Sequence, residues 1–379
     1  MSTTTQHSIS SLYVSFELGA NSWKLAFSNG AKLRYRNVSM DGDGFWQVES
    51  EIAKAKEKLG LACDCNVVSC YEAGRDGFWI HRFLTELGVT NYVVDASSIE
   101  VNRRARRAKT DRVDARKLVT MLIRYSEYGE KKLWKVVNVP SEEAEDERLD
   151  CREPERIKQE LTSLNNRIKG KLALHGIRFG GHLRTLELSA LRDWKGRPLP
   201  PRLMRELERS YHRWQTAWAQ LREINQERDE RLRNPRTKAD RQAVKLKQLK
   251  AVGPIASWLL SKEFFSWRGF ANRRQVGGCA GLTGTPYDSG ESQRDQGIGK
   301  SGNGSVRAVS IELAWCWIRY QPGSALTQWF VNYVGKGNGG RGTSRLRRAG
   351  IVAVARKLLV ALWKYLEHDE LPEGAVLSI

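Results

Sequence analysis

The sequence predicts an α/β domain at residues 1–137, a long helical coiled-coil or assembly region at about 150–245, and a mainly α-helical domain at 246–379. Three observations support this division. Short β-rich stretches alternate with helical patterns near the N-terminus, two long charged segments in the middle carry narrow apolar seams, and further helical patterns flank a glycine-rich stretch near the C-terminus. The fold class is therefore α/β plus all-α.

The first domain opens with three β-rich stretches, which Asn21-Ser22 and Asn29-Gly30 separate as the turns of a meander would. Periodicity then predicts, in order, a helix at 45–60, a strand at 66–71, a helix at 76–88, a strand at 91–96 and a helix at 111–129. The resulting order βββαβαβα is typical of the RNase H-like or RuvC-like fold, in which a mixed sheet combines a meander with crossover connections.

The middle region is predicted to be two long helices behind a linker. Residues 138–155 are acidic and flanked by proline, which predicts the linker. A narrow apolar seam follows, formed by Ile157, Leu161, Leu164, Ile168 and Leu172, and a second helix is predicted to begin near Leu203. The pair favours an antiparallel hairpin or a coiled coil between protomers, and a small helical subdomain with no assembly role also fits.

The last domain carries one turn of possible functional interest and several helices. Residues 252–255 (Val-Gly-Pro-Ile) lie between helical segments and resemble a helix-hairpin-helix turn, whose exposed backbone amides can bind a phosphate. Residues 275–305 are predicted to be irregular, whereas 306–334 and 345–367 are predicted to be helices.

The composition indicates a polyanionic partner. The sequence has 63 Lys and Arg against 43 Asp and Glu, which gives a net charge of +20. An excess of this size is most often found in proteins that bind nucleic acid, although anionic membranes or acidic proteins would also fit. Some of the 13 tryptophans could stack on bases, although most are expected in the core. There is no apolar run of membrane-spanning length and no signal-peptide core, and six scattered cysteines are expected to be reduced thiols. We therefore expect a cytoplasmic, nucleoid-associated prokaryotic protein without a membrane partner.

Four acids occupy positions where such a sheet would bring them together. Glu17 lies on the first strand and Glu72 ends the fourth, while Asp111 and Asp114 open the last helix of the domain on one helical face. Strand ends and helix starts converge at the carboxyl edge of the sheet. The sequence therefore predicts a site for Mg²⁺ or Mn²⁺, in which two divalent cations would activate the attacking oxygen and stabilise the leaving oxygen at a phosphodiester.

Each acid also has a simpler explanation. Asp111 is a favourable N-cap, Asp114 suits the first turn of a helix, and Glu72 could merely end a strand. Glu17 is harder to explain in this way, because a carboxylate within an apolar strand is costly unless it is paired or holds a metal.

The segment around the two aspartates is strongly basic. It could draw nucleic-acid phosphates toward the acids, or it could be no more than a solvated face. Its predicted nucleic-acid-binding residues are Arg103, Arg104, Arg106, Arg107, Lys109 and Arg112.

Four blocks of sequence carry a further signal: YVSFELGANSWKLAF, CYEAGRDGFW, RAKTDRVDARKL and, the most specific, GLTGTPYDSGESQRDQGIGKSGNGSVRAVSIELAW. Together they resemble the DEDD family of insertion-sequence transposases over the whole chain, a family whose better-studied members are serine recombinases guided by a bridge RNA. The resemblance implies that the metal-binding acids are Glu17, Glu72, Asp111 and Asp114. The first position is usually aspartate, so the longer Glu17 would move the ion by roughly one bond length.

The resemblance also implies that Ser289, in the pair Ser289-Gly290, is the catalytic nucleophile. A glycine-flanked serine can approach a scissile phosphate, and nearby cations could stabilise the pentavalent charge. Without the resemblance, Ser289 would be interpreted as a turn residue, and Ser292 and Ser301 are rival nucleophiles. Gly284 departs from the family's usual Pro-Thr-Pro, with little expected effect. The predicted nucleic-acid-binding residues of this block are Arg294, Lys300, Asn303 and Arg307.

The reaction implied is transesterification that joins element ends to a target through a transient serine–DNA link, assisted by the Mg²⁺ site. The expected partners are DNA, a noncoding guide RNA that selects sequence, and further copies of the chain in a dimer or tetramer. Two alternatives stay open. A RuvC-like junction nuclease would hydrolyse DNA with Ser289 as a bystander, and a non-catalytic nucleic-acid-binding protein would use the basic surfaces alone.

Overall fold

The computed structural model divides into two compact units, Met1–Val139 and Pro140–Ile379. The residues that it describes are 11–42, 44–75, 77–99, 111–289, 292–299, 302–335 and 340–378. Within these ranges the description is limited to the backbone at residues 45, 111–112, 286–289, 292–296 and 340–343.

The first unit contains a five-stranded mixed sheet with the spatial order β3-β2-β1-β4-β5. Strand β1 pairs antiparallel with β2 and parallel with β4, and β5 extends the parallel part beside β4. This confirms the predicted order βββαβαβα and the mixed sheet. The elements are β1 Leu12–Leu18, β2 Ser22–Ser28, β3 Leu33–Ser39, α1 Gln47–Lys58, β4 Val67–Glu72, α2 Trp79–Glu86, β5 Thr90–Val94 and α3 Asp111–Ser126.

Alternation along the strands gives this sheet a core on each face. On one face, buried residues of β1 such as Val14 and Phe16 pack with Ile52 of α1 and Leu84 of α2. On the other face, Tyr13 and its neighbours pack against α3. Successive side chains of a strand point to opposite faces, so a strand buried on both sides reads as a continuous apolar run.

The second unit begins with helices where the linker was predicted. Helices α4 (Glu142–Glu147) and α5 (Leu149–Ala173) occupy most of residues 138–155, so the linker prediction is wrong. The carboxylates of Glu147 and Asp150 lie 3.2 and 3.1 Å from the ammonium of the fully buried Lys262. Two acids of this segment are therefore stabilised by a cation that is distant in the sequence.

Helices α5 and α6 (Pro201–Arg233) form an antiparallel hairpin within one chain. Lys171 near the end of α5 pairs with Glu206 near the start of α6 at 2.7 Å, and Arg231 near the end of α6 pairs with Asp150 at the start of α5 at 3.0 Å. The predicted seam is buried in this hairpin at Ile157, Leu161, Ile168 and Leu172, with Leu164 partly buried. Of the two arrangements that the pattern favoured, the structure contains the antiparallel hairpin within one chain, in which most of the seam is buried.

The rest of the unit is mainly helical, around a core that includes the fully buried Trp317. Its elements are α7 Lys238–Lys247, α8 Pro254–Leu260, a π-helical turn Ser261–Phe265, α9 Arg273–Cys279, β6 Gly284–Ser289, β7 Ser292–Ile298, α10 Gly304–Tyr320, α11 Ala325–Gly335 and α12 Gly340–His368.

Two predictions for this region need correction. Residues 275–305 are not irregular, because they contain most of α9 and the antiparallel hairpin β6–β7. The single helix predicted at 306–334 is two helices, because Pro322 and Gly323 interrupt it after Tyr320.

None of the helices in the described part of the chain combines the length and the apolar character needed to cross a bilayer. The six cysteines are all thiols in the structure, and Cys70 and Cys151 are buried. Burial raises the pKa of both buried thiols far above the ordinary cysteine value, which keeps them protonated and unreactive at neutral pH.

Candidate functional site

The parallel pair β1–β4 carries two of the predicted acids to one edge of the sheet. Its register aligns Ser15 with Cys70, so Glu17 and Glu72 follow two residues later at the carboxyl ends of adjacent strands. Because side chains two residues apart share a face, Glu17 and Glu72 lie on the face that Ser15 and Cys70 occupy. Glu17 is half-buried and Glu72 is exposed.

Helix α3 is hydrogen-bonded to the same face of the sheet. The Ser15 hydroxyl donates to the backbone carbonyl of Ala115 at 2.7 Å. At the other end of α3, the Tyr13 hydroxyl donates to the carboxylate of Glu127. Helix α3 therefore runs antiparallel to β1, and its first turn lies at the carboxyl ends of β1 and β4.

The first turn of α3 carries the two predicted aspartates. Asp111 is the first residue of the helix, and the half-buried Asp114 directly precedes the buried Ala115. Sheet register and the Ser15–Ala115 bond thus bring positions 17, 72, 111 and 114 to the same edge. Among the described side chains, which do not include that of Asp111, no three Asp, Glu, His or Cys groups converge as metal ligands. The metal site therefore stays a prediction.

A lysine lies beside the first of these acids. Lys24 on β2 is the register partner of Glu17, and both side chains are half-buried. Register partners in an antiparallel pair share a face, so Lys24 lies on the face covered by α3. Its charge offsets part of the negative charge that the acids bring to this edge.

Most of the predicted nucleic-acid-binding residues near α3 lie outside the described residues: Arg103, Arg104, Arg106, Arg107 and Lys109. Arg112 is in the first turn of α3, and only its backbone is described. In the serine block, Lys300 and the rival Ser301 also lie outside the described residues.

Ser289 lies at the tip of a β-hairpin. It is the last residue of β6, and its register partner Ser292 is the first residue of β7. Gly290 and Glu291, which connect the two, lie outside the described residues. Arg294 is two residues further along β7, opposite Tyr287. The predicted nucleophile and one rival serine therefore occupy neighbouring backbone positions.

The base of the hairpin is held by main-chain and side-chain hydrogen bonds. The N–H of Gly299 donates to the carbonyl of Thr283 at 2.9 Å, and the N–H of Asn303 donates to the carbonyl of Cys279 at 3.1 Å. The Asn303 amide oxygen caps α10 by accepting from the N–H of Val306 at 3.1 Å. The structure thus gives Asn303 a capping role, and nucleic-acid binding by Asn303 and by the half-buried Arg307 stays a prediction.

A buried carboxylate connects this base to helix α5. Glu263 in the π-helical turn is 3% exposed, and it accepts from Arg148 at 3.1 Å, from Arg152 at 2.6 Å and from the Asn303 side-chain amide at 3.3 Å. The prediction from sequence missed this residue. Its signal was the charged pair Lys262-Glu263 within the apolar run WLLSKEFF, which is costly unless both charges are paired.

The neighbouring Lys262 completes the buried network. Its ammonium lies 3.1 Å from the carboxylate of the fully buried Asp240. Burial opposes the ionisation of Asp240, but hydrogen bonds from the backbone N–H groups of Arg236 and Thr237 and the charge of Lys262 outweigh it, so the pKa of Asp240 is held below its ordinary value. The network joins helices α4, α5, α6 and α7 to the π-helical turn.

Of the segment 252–255, Val252 and Gly253 lie between α7 and α8, and Pro254 and Ile255 begin α8. Ala251 has a positive φ of 84°, and Gly253, at the N-cap of α8, is exposed. The helix-hairpin-helix turn and the binding of a phosphate there both stay predictions.

The structure therefore combines a mixed α/β unit, acids gathered at one sheet edge, and a helical unit with a serine-tipped hairpin. The sequence model of the Transposase IS116/IS110/IS902 family matches residues 243–328, which include this hairpin. The chain is 38% identical to y4rJ of Sinorhizobium fredii (strain NBRC 101917 / NGR234), provisionally named a transposase, with 98% of this chain and 95% of that protein aligned. It is 28% identical to y4qE of the same strain, which carries the same provisional name, over 68% of this chain and 60% of that protein. The chain belongs to the IS116/IS110/IS902 family of transposases, and DNA is its partner.

Proposed function

We propose that this transposase is an RNA-guided recombinase that cuts and rejoins DNA phosphodiesters through Ser289, with help from a divalent-metal site at Glu17, Glu72, Asp111 and Asp114. The observation that carries the proposal is the convergence of those four positions at one edge of the sheet, through the β1–β4 register and the Ser15–Ala115 hydrogen bond.

The proposed fold of the first unit is RNase H-like or RuvC-like. Its support is the central parallel pair β1–β4, the antiparallel meander β1–β2–β3 on one side, and a final helix that returns antiparallel to β1. The acids then occupy the carboxyl edge, where open α/β sheets bind their ligands.

The residues present suit Mg²⁺ or Mn²⁺. Carboxylate oxygens are the hard donors that these ions prefer, and a half-buried Glu17 on an otherwise apolar strand is stabilised by a nearby cation. A bound ion would polarise the phosphodiester and neutralise its developing charge. Glu17 and Glu72 would provide ligands from adjacent strands, and Asp111 and Asp114 from positions three residues apart on one face of α3.

The proposed reaction has two balanced steps. In the first, the Ser289 Oγ bonds to phosphorus, the phosphorus–sugar oxygen bond breaks, the serine proton passes to a general base, and the departing sugar oxygen takes up a proton. In the second, a hydroxyl of another DNA end attacks the phosphoserine, releasing Ser289 with its proton restored. The phosphodiester count is unchanged and no net hydrolysis occurs.

The remaining parts of the proposal rest on the family resemblance and on the net charge of +20. These are a noncoding guide RNA that selects sequence, assembly as a dimer or tetramer, and division of the second unit into a helical region at 150–245 and a transposase domain at 246–379. The α5–α6 seam is buried within the chain, so assembly would use another surface.

The test is trapping of a covalent complex. Wild-type protein, supplied with DNA containing the element ends and RNA transcribed from its flanking noncoding sequence, is expected to form a protein–DNA adduct that survives boiling in detergent. Ser289→Ala should lose the adduct and keep its DNA affinity. A junction nuclease would cleave DNA equally well with either protein and form no adduct, and a non-catalytic binder would do neither.

A further inference from the structure

A basic groove lies near the base of the β6–β7 hairpin in the second unit. It encloses about 460 Å³, a volume within the range of ordinary ligand sites. Its floor includes Thr283, just before β6, and the apolar Leu326 and Val360. All of its charged lining residues are cations: Arg273, Arg274, Arg356 and Lys357.

The four cations have no compensating charge in the described part of the chain. Arg273, Arg274 and Arg356 are exposed, and no described carboxylate pairs with any of the four. Elsewhere in the same unit, buried or half-buried cations such as Arg231 and Lys262 are paired with carboxylates. Like charges gathered without partners repel one another, so the groove is stabilised when an anion enters.

Contacts within the unit position two of the four cations, Lys357 and Arg356. The Lys357 ammonium lies 3.6 Å from the centroid of the Trp329 ring, whose orientation is fixed by stacking on Tyr333. Arg356 crosses α9 at Gly277, where an added Cβ would lie only 3.3 Å from the arginine side chain. Partial burial, with a contribution from the adjacent Arg356, lowers the pKa of Lys357, as expected for an ammonium group that lacks an anion.

We propose that this groove binds the phosphodiester backbone of one DNA strand next to the site of cleavage. Four cations around a groove of about 460 Å³ that also has apolar lining residues suit a chain of phosphates better than an isolated small anion. The choice of DNA rests on the proposed role of Ser289. A strand rises about 3.3 Å per residue, so the tip of β6 lies no more than about 20 Å from Thr283. A backbone seated in the groove is therefore within a few nucleotides of the hairpin tip.

The test measures the salt dependence of binding to a 20-nucleotide single-stranded DNA by the full-length protein, using fluorescence anisotropy. Each phosphate contact contributes about 0.7 to the slope of log K against log salt. The double variant Arg274→Gln/Arg356→Gln is expected to lower that slope by about 1.4 relative to wild type. Arg274→Lys/Arg356→Lys should restore most of it, because the charges return.

A matched control removes the same charge from residues that do not line the groove. Lys238→Gln/Lys247→Gln changes two exposed lysines of α7 and should leave the slope within about 0.3 of wild type. The groove proposal is overturned if the groove variant behaves as this control does, or if its loss is confined to an RNA of the same sequence. Ser289→Ala should keep the full slope. The slope therefore tests the groove, and the adduct experiment tests the role of Ser289 independently.

Discussion

Ser289 and Ser292 are opposite each other in the last register pair of the β6–β7 hairpin. The β-carbons of directly opposed residues are about 4.5–5.5 Å apart, so the backbone places these two residues side by side. The hairpin geometry does not distinguish Ser289 from Ser292 as the nucleophile. Substituting each serine in turn distinguishes them.

Ser289→Ala is expected to abolish the covalent protein–DNA adduct, while Ser292→Ala retains most of it. Alanine removes the attacking oxygen and leaves the strand backbone unchanged, so DNA affinity should stay within about twofold in both variants. Detergent-resistant adducts resolved on a denaturing gel give the readout, and Ser289→Cys should retain a trace. If the adduct survives Ser289→Ala and disappears in Ser292→Ala, the nucleophile is Ser292.

Asp114→Asn is expected to remove Mn²⁺ binding and recombination while leaving the protein folded. The amide keeps the shape of the side chain but loses the charge that attracts the cation. Its contribution to the stability of α3, through the helix dipole, is only about 0.3–1 kcal/mol. Calorimetric titration with Mn²⁺ and urea unfolding measure the two effects. Glu57→Gln, an exposed acid on α1, is the control of equal charge. Full activity in Asp114→Asn would leave Asp114 as a helix-stabilising residue only.

The first unit was predictable from sequence because its signals are local. Strands β1, β2 and β4 are apolar runs bounded by turn residues, and the positions of Glu17, Glu72 and Asp114 followed from element order alone. The hairpin β6–β7 was missed because GTPYDS and SQRDQGI have few residues that favour strands. Pairing between the two strands, which no single window of sequence reveals, decides the conformation.

The acidic start of the second unit was misjudged for a similar reason. Glu147 and Lys262 form an ion pair across a separation of 115 residues. The composition of residues 138–155 shows the acids but not the distant Lys262 that pairs with Glu147. The sequence therefore predicts a linker where the structure has helices. The α5–α6 seam was correctly predicted as a helical contact. The apolar pattern fits a partner helix from the same chain or from another protomer equally well, and long-range ion pairs such as Asp150–Arg231 select the partner within the chain.

Leu161→Lys is expected to destabilise the folded chain by several kcal/mol, since it places an ammonium group in the buried face of the α5–α6 hairpin. Leu161 is 8% exposed, whereas Leu174, one residue past the end of α5, is 84% exposed. Leu174→Lys is therefore the matched control and should change stability by less than about 0.5 kcal/mol. Urea unfolding monitored by circular dichroism compares them. An unchanged midpoint for Leu161→Lys together with a smaller mass by light scattering would instead support a seam between protomers.

Asp240→Asn is expected to flatten the loss of stability in acid. A carboxyl whose folded pKa is below its unfolded value of about 3.9 stabilises the fold above that pH, and the contribution is lost as the pH falls through the folded pKa. The variant should be less stable than wild type at pH 7, and the difference should shrink below about pH 4. Unfolding midpoints at pH 7, 4 and 3 provide the measurement. A difference that stays constant over this range would mean that the charge of Asp240 is not what stabilises the network.

Glu263→Gln is expected to lower the free energy of unfolding by about 3–5 kcal/mol, the usual effect of removing one partner from a buried ion pair. Glu263 holds Arg148 and Arg152 at the start of α5 and the Asn303 amide at the start of α10, so its neutralisation leaves two guanidinium groups without their carboxylate. Glu230→Gln is the control, because its pair with Arg236 is exposed on both sides and should contribute less than about 1 kcal/mol.

Hydrogen exchange measures the local effect of the same substitution. If the Glu263 network fixes the base of the serine hairpin, the amide of Asn303, bonded to Cys279, should exchange faster in Glu263→Gln than in Glu230→Gln under conditions where both variants are fully folded. Equal exchange at Asn303, with the expected loss of global stability, would show that Glu263 stabilises the unit without holding the hairpin.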